Sequence, residues 1–185
     1  MMKPGGPAIP EPTPVTLDSR TTAVSVLDLT TRCDDPEMPC AELIAPVGRF
    51  LDKARASDVS IFYTASFRDK GTALGEIAEG LNRRESETIV YPNSFDKFFG
   101  SDLRDALEAI GARSLVIVGA ATNIAVMYTT TTAVRVHKYR VVIPIDGVRA
   151  GSQYEQEYAL HQLHALPATS VTPVEYSTLD TITFL

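Results

Sequence analysis

Asp28 sits where a reactive group would be useful. In "TAVSVLDL", residues 22–29, it closes a mainly apolar run and begins the loop that follows. Burial there would disfavour the charged carboxylate and so favour proton exchange, which a general acid or base needs. The competing reading is an aspartate that caps its loop by accepting backbone N–H groups. A second stretch, "VGAATNIAVMYTT" (118–130), carries a buried strand into small residues, with a helix beginning near Asn123. Such a turn points backbone N–H groups at whatever lies in front of it, which suits a developing negative charge. The turn offers no cysteine, serine or histidine where a nucleophile would be presented. Thr122 and Thr129–Thr132 carry hydroxyls, but with no base identified nearby they read as helix and cap residues.

The frame around these residues follows from alternation. Apolar runs rich in β-branched residues predict strands at 22–29, 59–64, 87–91, 113–119, 139–147 and 169–176. Helical spacing predicts helices at 41–57, 101–112, 123–138 and 153–165. Strands alternating with helices of this length mean an α/β fold with a parallel sheet covered on both faces. In such sheets ligands bind beyond the carboxyl ends of the strands. The candidates are therefore Asp28, Thr64, the block from Tyr91, the 119–125 turn and Asp146.

Bulk properties narrow the class. A chain of 185 residues reads as a single domain, assigned to 21–185, behind a proline-rich arm at 1–20. That arm holds five prolines and two glycines and lacks the apolar core of a signal peptide, so it reads as an extended or disordered lead-in. A net charge of −6 argues against nucleic acid and anionic membrane as main partners. No apolar run approaches the length of a membrane span. Cys33 and Cys40, seven apart, read as free thiols in a reducing cytoplasm, since two cysteines make no disulfide framework and no zinc spacing. Cys33 lies in a loop that can fold over Asp28, with Arg32 beside it to favour a thiolate, although a loop cysteine is more often incidental.

Taken in order, "VLDLTTRCDDP" and "FFGSDLRDALEAIGARSLVIVGAATNIAVMYTTTTAVRVHKYRVVIPIDGV" resemble the isochorismatase-like hydrolase superfamily. Its cysteine branch includes nicotinamidases and N-carbamoylsarcosine amidohydrolases. The resemblance runs from about residue 22 to 150, and "DGVRAGSQYEQEY" extends it more weakly. It implies a three-layer αβα sandwich with a mostly parallel, Rossmann-like sheet.

In the cysteine branch an Asp, a Lys and a Cys do the chemistry. Asp28 matches the Asp, and the Cys position falls on Ala125. The Lys position falls on Pro92 or on Ile89, depending on which block is aligned. Lys97, in "FDKFFG", either supplies an ammonium from a shifted position or is a solvated surface lysine; both readings stay open. The family's non-proline cis peptide corresponds to Ala120–Ala121, and the N–H groups of Ala121 and Ala125 would then form an oxyanion pocket. The metal-binding branch uses an Asp-x-His with another His close by. His137, His161 and His164 lack that spacing, so the resemblance implies no metal and no cofactor. Arg68, in "FRDKG", either pairs with an anionic substrate or is a surface arginine, and Asn123 joins it as a candidate substrate-binding residue.

Two functions fit. The first is a small-molecule hydrolase resembling isochorismatases, which lack the cysteine and use the Asp as acid while water captures the cation. Asp28 would be general acid/base, with Lys97 or Arg68 holding an anion. The second is a non-catalytic small-molecule-binding or structural protein of the same fold. The family's dimers and rings imply a homo-oligomer, with the 123–138 helix and the tail "LDTITFL" as candidate interfaces.

Overall fold

Valine, isoleucine and threonine crowd the segments that become strands, and β-branched side chains pack well on a pleated surface. The computed structural model describes residues 10–166 and 174–185. Its elements are β1 (Val15–Leu17), β2 (Thr22–Leu27), α1 (Ala41–Ala56), β3 (Ser60–Thr64), β4 (Thr88–Val90), α2 (Leu103–Ala109), β5 (Ser114–Ala120), α3 (Met127–Arg135), β6 (Arg140–Pro144), β7 (Val148–Arg149), α4 (Gln153–His164), β8 (Glu175–Ser177) and β9 (Ile182–Phe184). The main sheet has the order β4-β3-β2-β5-β6-β8, with β7 added at the far end of β5. Every ladder between the described strands is parallel. The carboxyl ends of β2 to β6 therefore share one edge.

Alternation along the central strands divides the interior in two. Val24 and Val26 of β2, with Val116 and Val118 of β5, pack against α1 through Leu43, Val47 and Leu51. Ala23, Leu27, Leu115 and Ile117 face the opposite way, onto α2, α3 and α4. β2 is buried at every position, as a strand covered on both faces must be. The result is the three-layer αβα sandwich the resemblance implied.

Several boundaries differ from the sequence reading. The 101–112 helix is shorter, Leu103–Ala109, because Ser101 spends its hydroxyl on both sides: it accepts from the Leu103 N–H at 3.2 Å and donates to the Lys97 carbonyl at 2.5 Å. The 123–138 helix begins as a π-helical turn over Thr122–Val126 before α3 proper. Of the strand expected at 169–176, residues 169–173 lie outside the described residues, and β8 covers Glu175–Ser177.

Two further expectations are corrected. The second half of the arm is held to the fold, because β1 pairs with β9 in register Val15↔Ile182 to Leu17↔Phe184. The tail offered as an interface is thus engaged within the chain. Cys33 and Cys40 are joined by a disulfide, not free. A 3-10 turn at Thr31–Asp34 followed by the start of α1 brings their Cα atoms to 5.2 Å, within bridging range. The Cys33 sulfur lies 3.9 Å from the Asp28 carbonyl oxygen, so the bridge backs the loop that carries Asp28. No helix among the described residues is long and apolar enough to cross a membrane.

Candidate active site

Register puts the site together. Leu27 of β2 is the partner of Thr64 on β3 and of Gly119 on β5, and Thr64 in turn is the partner of Val90 on β4. Asp28 leaves the sheet at the centre of this edge, at φ 56°. An aspartate tolerates that left-handed conformation better than most residues. Its N–H donates to the Thr64 carbonyl at 3.2 Å, which fixes the direction of the side chain's exit.

The carboxylate is held by side chains. Asp28 Oδ1 accepts from Thr64 Oγ1 at 2.8 Å, and Oδ2 meets Lys97 Nζ at 2.5 Å. Both partners are a hydroxyl and an ammonium, so the loop-capping reading, in which backbone N–H groups occupy the carboxylate, does not describe this residue. Lys97 is 3% exposed in its side chain against 30% for Asp28. The surface reading of Lys97 is therefore corrected: the ammonium is buried, with the Ser94 carbonyl as a second and longer acceptor at 3.5 Å. A buried cation needs a counter-charge and hydrogen bonds, and Asp28 supplies the charge.

A cavity of about 410 Å³ opens at this pair. Asp28, Lys97 and Arg68 all line it, together with Ser66, Asn93 and Phe95. Arg68 is exposed and its guanidinium pairs with no carboxylate among the described residues. Phe95 is 64% exposed at the same cavity. The site thus combines one internal ion pair with one unspent positive charge.

The 120–125 turn lies across the Leu27–Gly119 step from this cavity, not in its wall. The Ala120–Ala121 peptide is cis. The Ala121 carbonyl accepts from both Ile124 N and Val126 N, at 3.1 and 3.2 Å, which winds the chain into the π turn. Ala125 is 2% exposed and packs in the core on the α2–α4 side. Asn123 Oδ1 is buried without a hydrogen-bond partner. The structure therefore gathers Asp28, Lys97 and Arg68 in one cavity and leaves Ala121, Asn123 and Ala125 beside it.

One residue the sequence reading passed over holds the neighbouring turn in place. Gln156, on α4, accepts from Thr122 Oγ1 at 2.7 Å and from Ala150 N at 2.8 Å, and donates to the Val148 carbonyl at 3.1 Å. It ties the turn after β5 to β7. Asp146, a candidate by position, instead accepts the Leu179 N–H at 2.9 Å and anchors a distant turn.

The family model for the isochorismatase domain matches residues 26–173. The chain belongs to the isochorismatase family. A ureidoacrylate amidohydrolase, RutB, of Caulobacter segnis is 24% identical over 204 positions, covering 86% of this chain and 84% of its own length. An isochorismatase family protein of Burkholderia thailandensis superposes with a TM-score of 0.77 at 21% identity, covering 92% of this chain and 97% of its own. An N-carbamoylsarcosine amidase from Thermoplasma acidophilum gives 0.73 at 16% identity, covering 86% of this chain and 97% of its own. The family rests on the matched domain model, and the solved structures show the fold. Within this isochorismatase-family chain, the two positions on which the family lysine falls carry no charge: Pro92 is buried at the cavity and Ile89 packs against the α1-side core. The ammonium that meets Asp28 belongs to Lys97.

Proposed function

We propose that the protein is a small-molecule hydrolase in which Asp28 is the general acid/base and no cysteine takes part. The observation that carries this reading is the Asp28–Lys97 pair in the wall of a cavity, with a partly exposed carboxylate facing solvent and a buried ammonium behind it. Holding a buried ammonium against a carboxylate costs several kcal/mol of desolvation before any return, which a purely structural wall does not require. Both cysteines are consumed in the disulfide and the family's cysteine position is Ala125, so water is the nucleophile.

In this reading Asp28 moves one proton. As base it takes a proton from the attacking water and delivers it to the leaving group as that bond breaks; as acid it protonates the scissile group and recovers a proton from the water that adds. Lys97 keeps the carboxylate in place and balances charge, while Thr64 fixes its second oxygen. The turn of Ala121 and Ala125 lies beside the cavity and not in its wall, so the cavity's own positive groups, Lys97 and Arg68, serve the developing negative charge. Arg68, paired with no carboxylate among the described residues, clamps an anionic group of the substrate.

The test is a paired turnover assay on a small-metabolite extract, comparing wild type with Asp28→Asn by untargeted mass spectrometry and following ammonia release. A compound consumed by the wild type alone supports the reading, and its mass change gives the bond cleaved. Consumption by neither protein, with the same compounds retained by both, overturns it in favour of a binding protein.

A further inference from the structure

The run "TTTT" at 129–132 is poor helix material, since β-branched residues lose side-chain freedom there. It nevertheless sits inside α3, and two of its four hydroxyls leave the helix to bind one segment. Thr129 Oγ1, on a residue 1% exposed, accepts the Lys97 N–H at 3.0 Å. Thr132 Oγ1 donates to Asp96 Oδ2 at 2.7 Å, and Asp96 Oδ1 accepts the Phe98 N–H at 3.0 Å. Thr131 bonds back to the Met127 carbonyl of its own helix.

The segment they bind has no regular structure to hold it. Lys97 lies in a turn outside every helix and strand. Its N–H goes to Thr129 and its carbonyl accepts from Ser101, so side chains satisfy both of its backbone groups. A lysine carries its charge on a long, flexible stem, and aiming it at Asp28 requires a fixed Cα.

We infer that Thr129, with the Asp96–Thr132 pair, positions Lys97, so that α3 sets where the ammonium meets Asp28. The same helix grows from the turn that carries Ala121 and Ala125. One rigid body therefore places the backbone donors on one side and the cation on the other. The catalytic importance of this arrangement rests on the proposed hydrolase reading; the mechanical link between Thr129 and Lys97 does not.

The experiment follows the Lys97 ammonium by proton–nitrogen correlation spectroscopy on the full chain with nitrogen-15 lysine. The signal is assigned by its loss in Lys97→Arg. In wild type it exchanges slowly with water. Thr129→Val, which keeps shape and removes the acceptor, is expected to speed that exchange at least ten-fold. Thr129→Ser, which restores the hydroxyl, is expected to return it to within two-fold of wild type. Should Thr129→Val not fold, Thr132→Val reads the other arm of the clamp, with an expected acceleration of at least three-fold.

A folded Thr129→Val with exchange within two-fold of wild type overturns the inference, as does a Thr129→Ser that exchanges as fast as the valine variant. Fast exchange in Thr129→Val, in a chain that turns over nothing from the extract, upholds the clamp while sinking the hydrolase reading. If a substrate is found, Thr129→Val lowers kcat and leaves KM within two-fold.

Discussion

Leu27 and Gly119 face each other across the β2–β5 ladder so closely that a Cβ on residue 119 would fall onto the Leu27 carbonyl group. Gly119 also adopts φ 130°, a conformation other residues rarely reach. Asp28 follows Leu27 directly, so this approach sets how far the carboxylate stands from the turn after β5. Gly119→Ala is expected to cost about 3 kcal/mol, from backbone strain and steric overlap together. In a domain of this size that lowers Tm by roughly 10 °C. Chemical denaturation checks it, and a variant as stable as wild type would show that the ladder can open at no cost.

The Asp28–Lys97 pair makes a second prediction through a double-mutant cycle. Asp28→Asn strands a buried ammonium and is expected to cost about 3 kcal/mol, discounted little because Lys97 is enclosed even though Asp28 is not. Lys97→Met removes the charge altogether and costs less. The double variant is then more stable than the sum of the singles by about 1–3 kcal/mol. Each single change is expected to lower turnover at least about 100-fold, the scale of a lost proton-transfer group. Additive stabilities across the cycle would mean that the pair is not coupled.

Gln156 tests the turn by a different route. Gln156→Leu leaves the buried Thr122 hydroxyl, the Ala150 N–H and the Val148 carbonyl short of a partner. Unpaired polar groups cost about 1–3 kcal/mol each, reduced where water can reach them. A total loss of about 3 kcal/mol is expected in thermal or chemical unfolding. Gln156→Glu keeps the acceptor oxygens and loses the donor to Val148, so it is expected to lie nearer wild type; equal losses would place the effect in packing instead.

Much of the frame was legible in the residues, and the reasons are physical. Runs such as 114–119 are buried on both faces and leave no ambiguity of strand against loop, and Asp28 stands at the end of another such run. Lys97 was found but its burial was not, because the ion pair depends on a turn that no periodicity marks. Thr129 and Thr132 were read as helix residues, since their partners lie more than thirty residues away in sequence and a hydroxyl carries no signal of direction. The β1–β9 pair escaped for another reason: Val15–Leu17 is three residues long and sits among prolines. The disulfide was missed because compartment statistics outweighed the local turn that brings the two sulfurs together.

Glu87 predicts how the fold responds to acid. Its carboxylate is pushed up by burial, but hydrogen bonds from Arg55 and from the Arg84 N–H outweigh this and hold it below its ordinary value of 4.5. The folded state therefore favours the charged form. Its contribution to stability is complete above about 4.5 and is lost as pH falls through the folded value. Denaturation between pH 6 and 3 should show wild type losing stability more steeply than Glu87→Gln. A wild type that gains stability over that range would contradict the sign.

The parallel pairing of β1 with β9 has a mechanical meaning. The two strands run the same way, and further bonds from Ser19 N to the Leu185 carbonyl and from Leu185 N to the Leu17 carbonyl extend the ladder. A pull applied through residues 10 and 185 slides one strand along the other, so the ladder bonds are loaded together and not broken in turn. The force is borne by this clasp before it reaches residues 22–179. The edge that carries Asp28 and Lys97 stays unloaded for as long as the clasp holds.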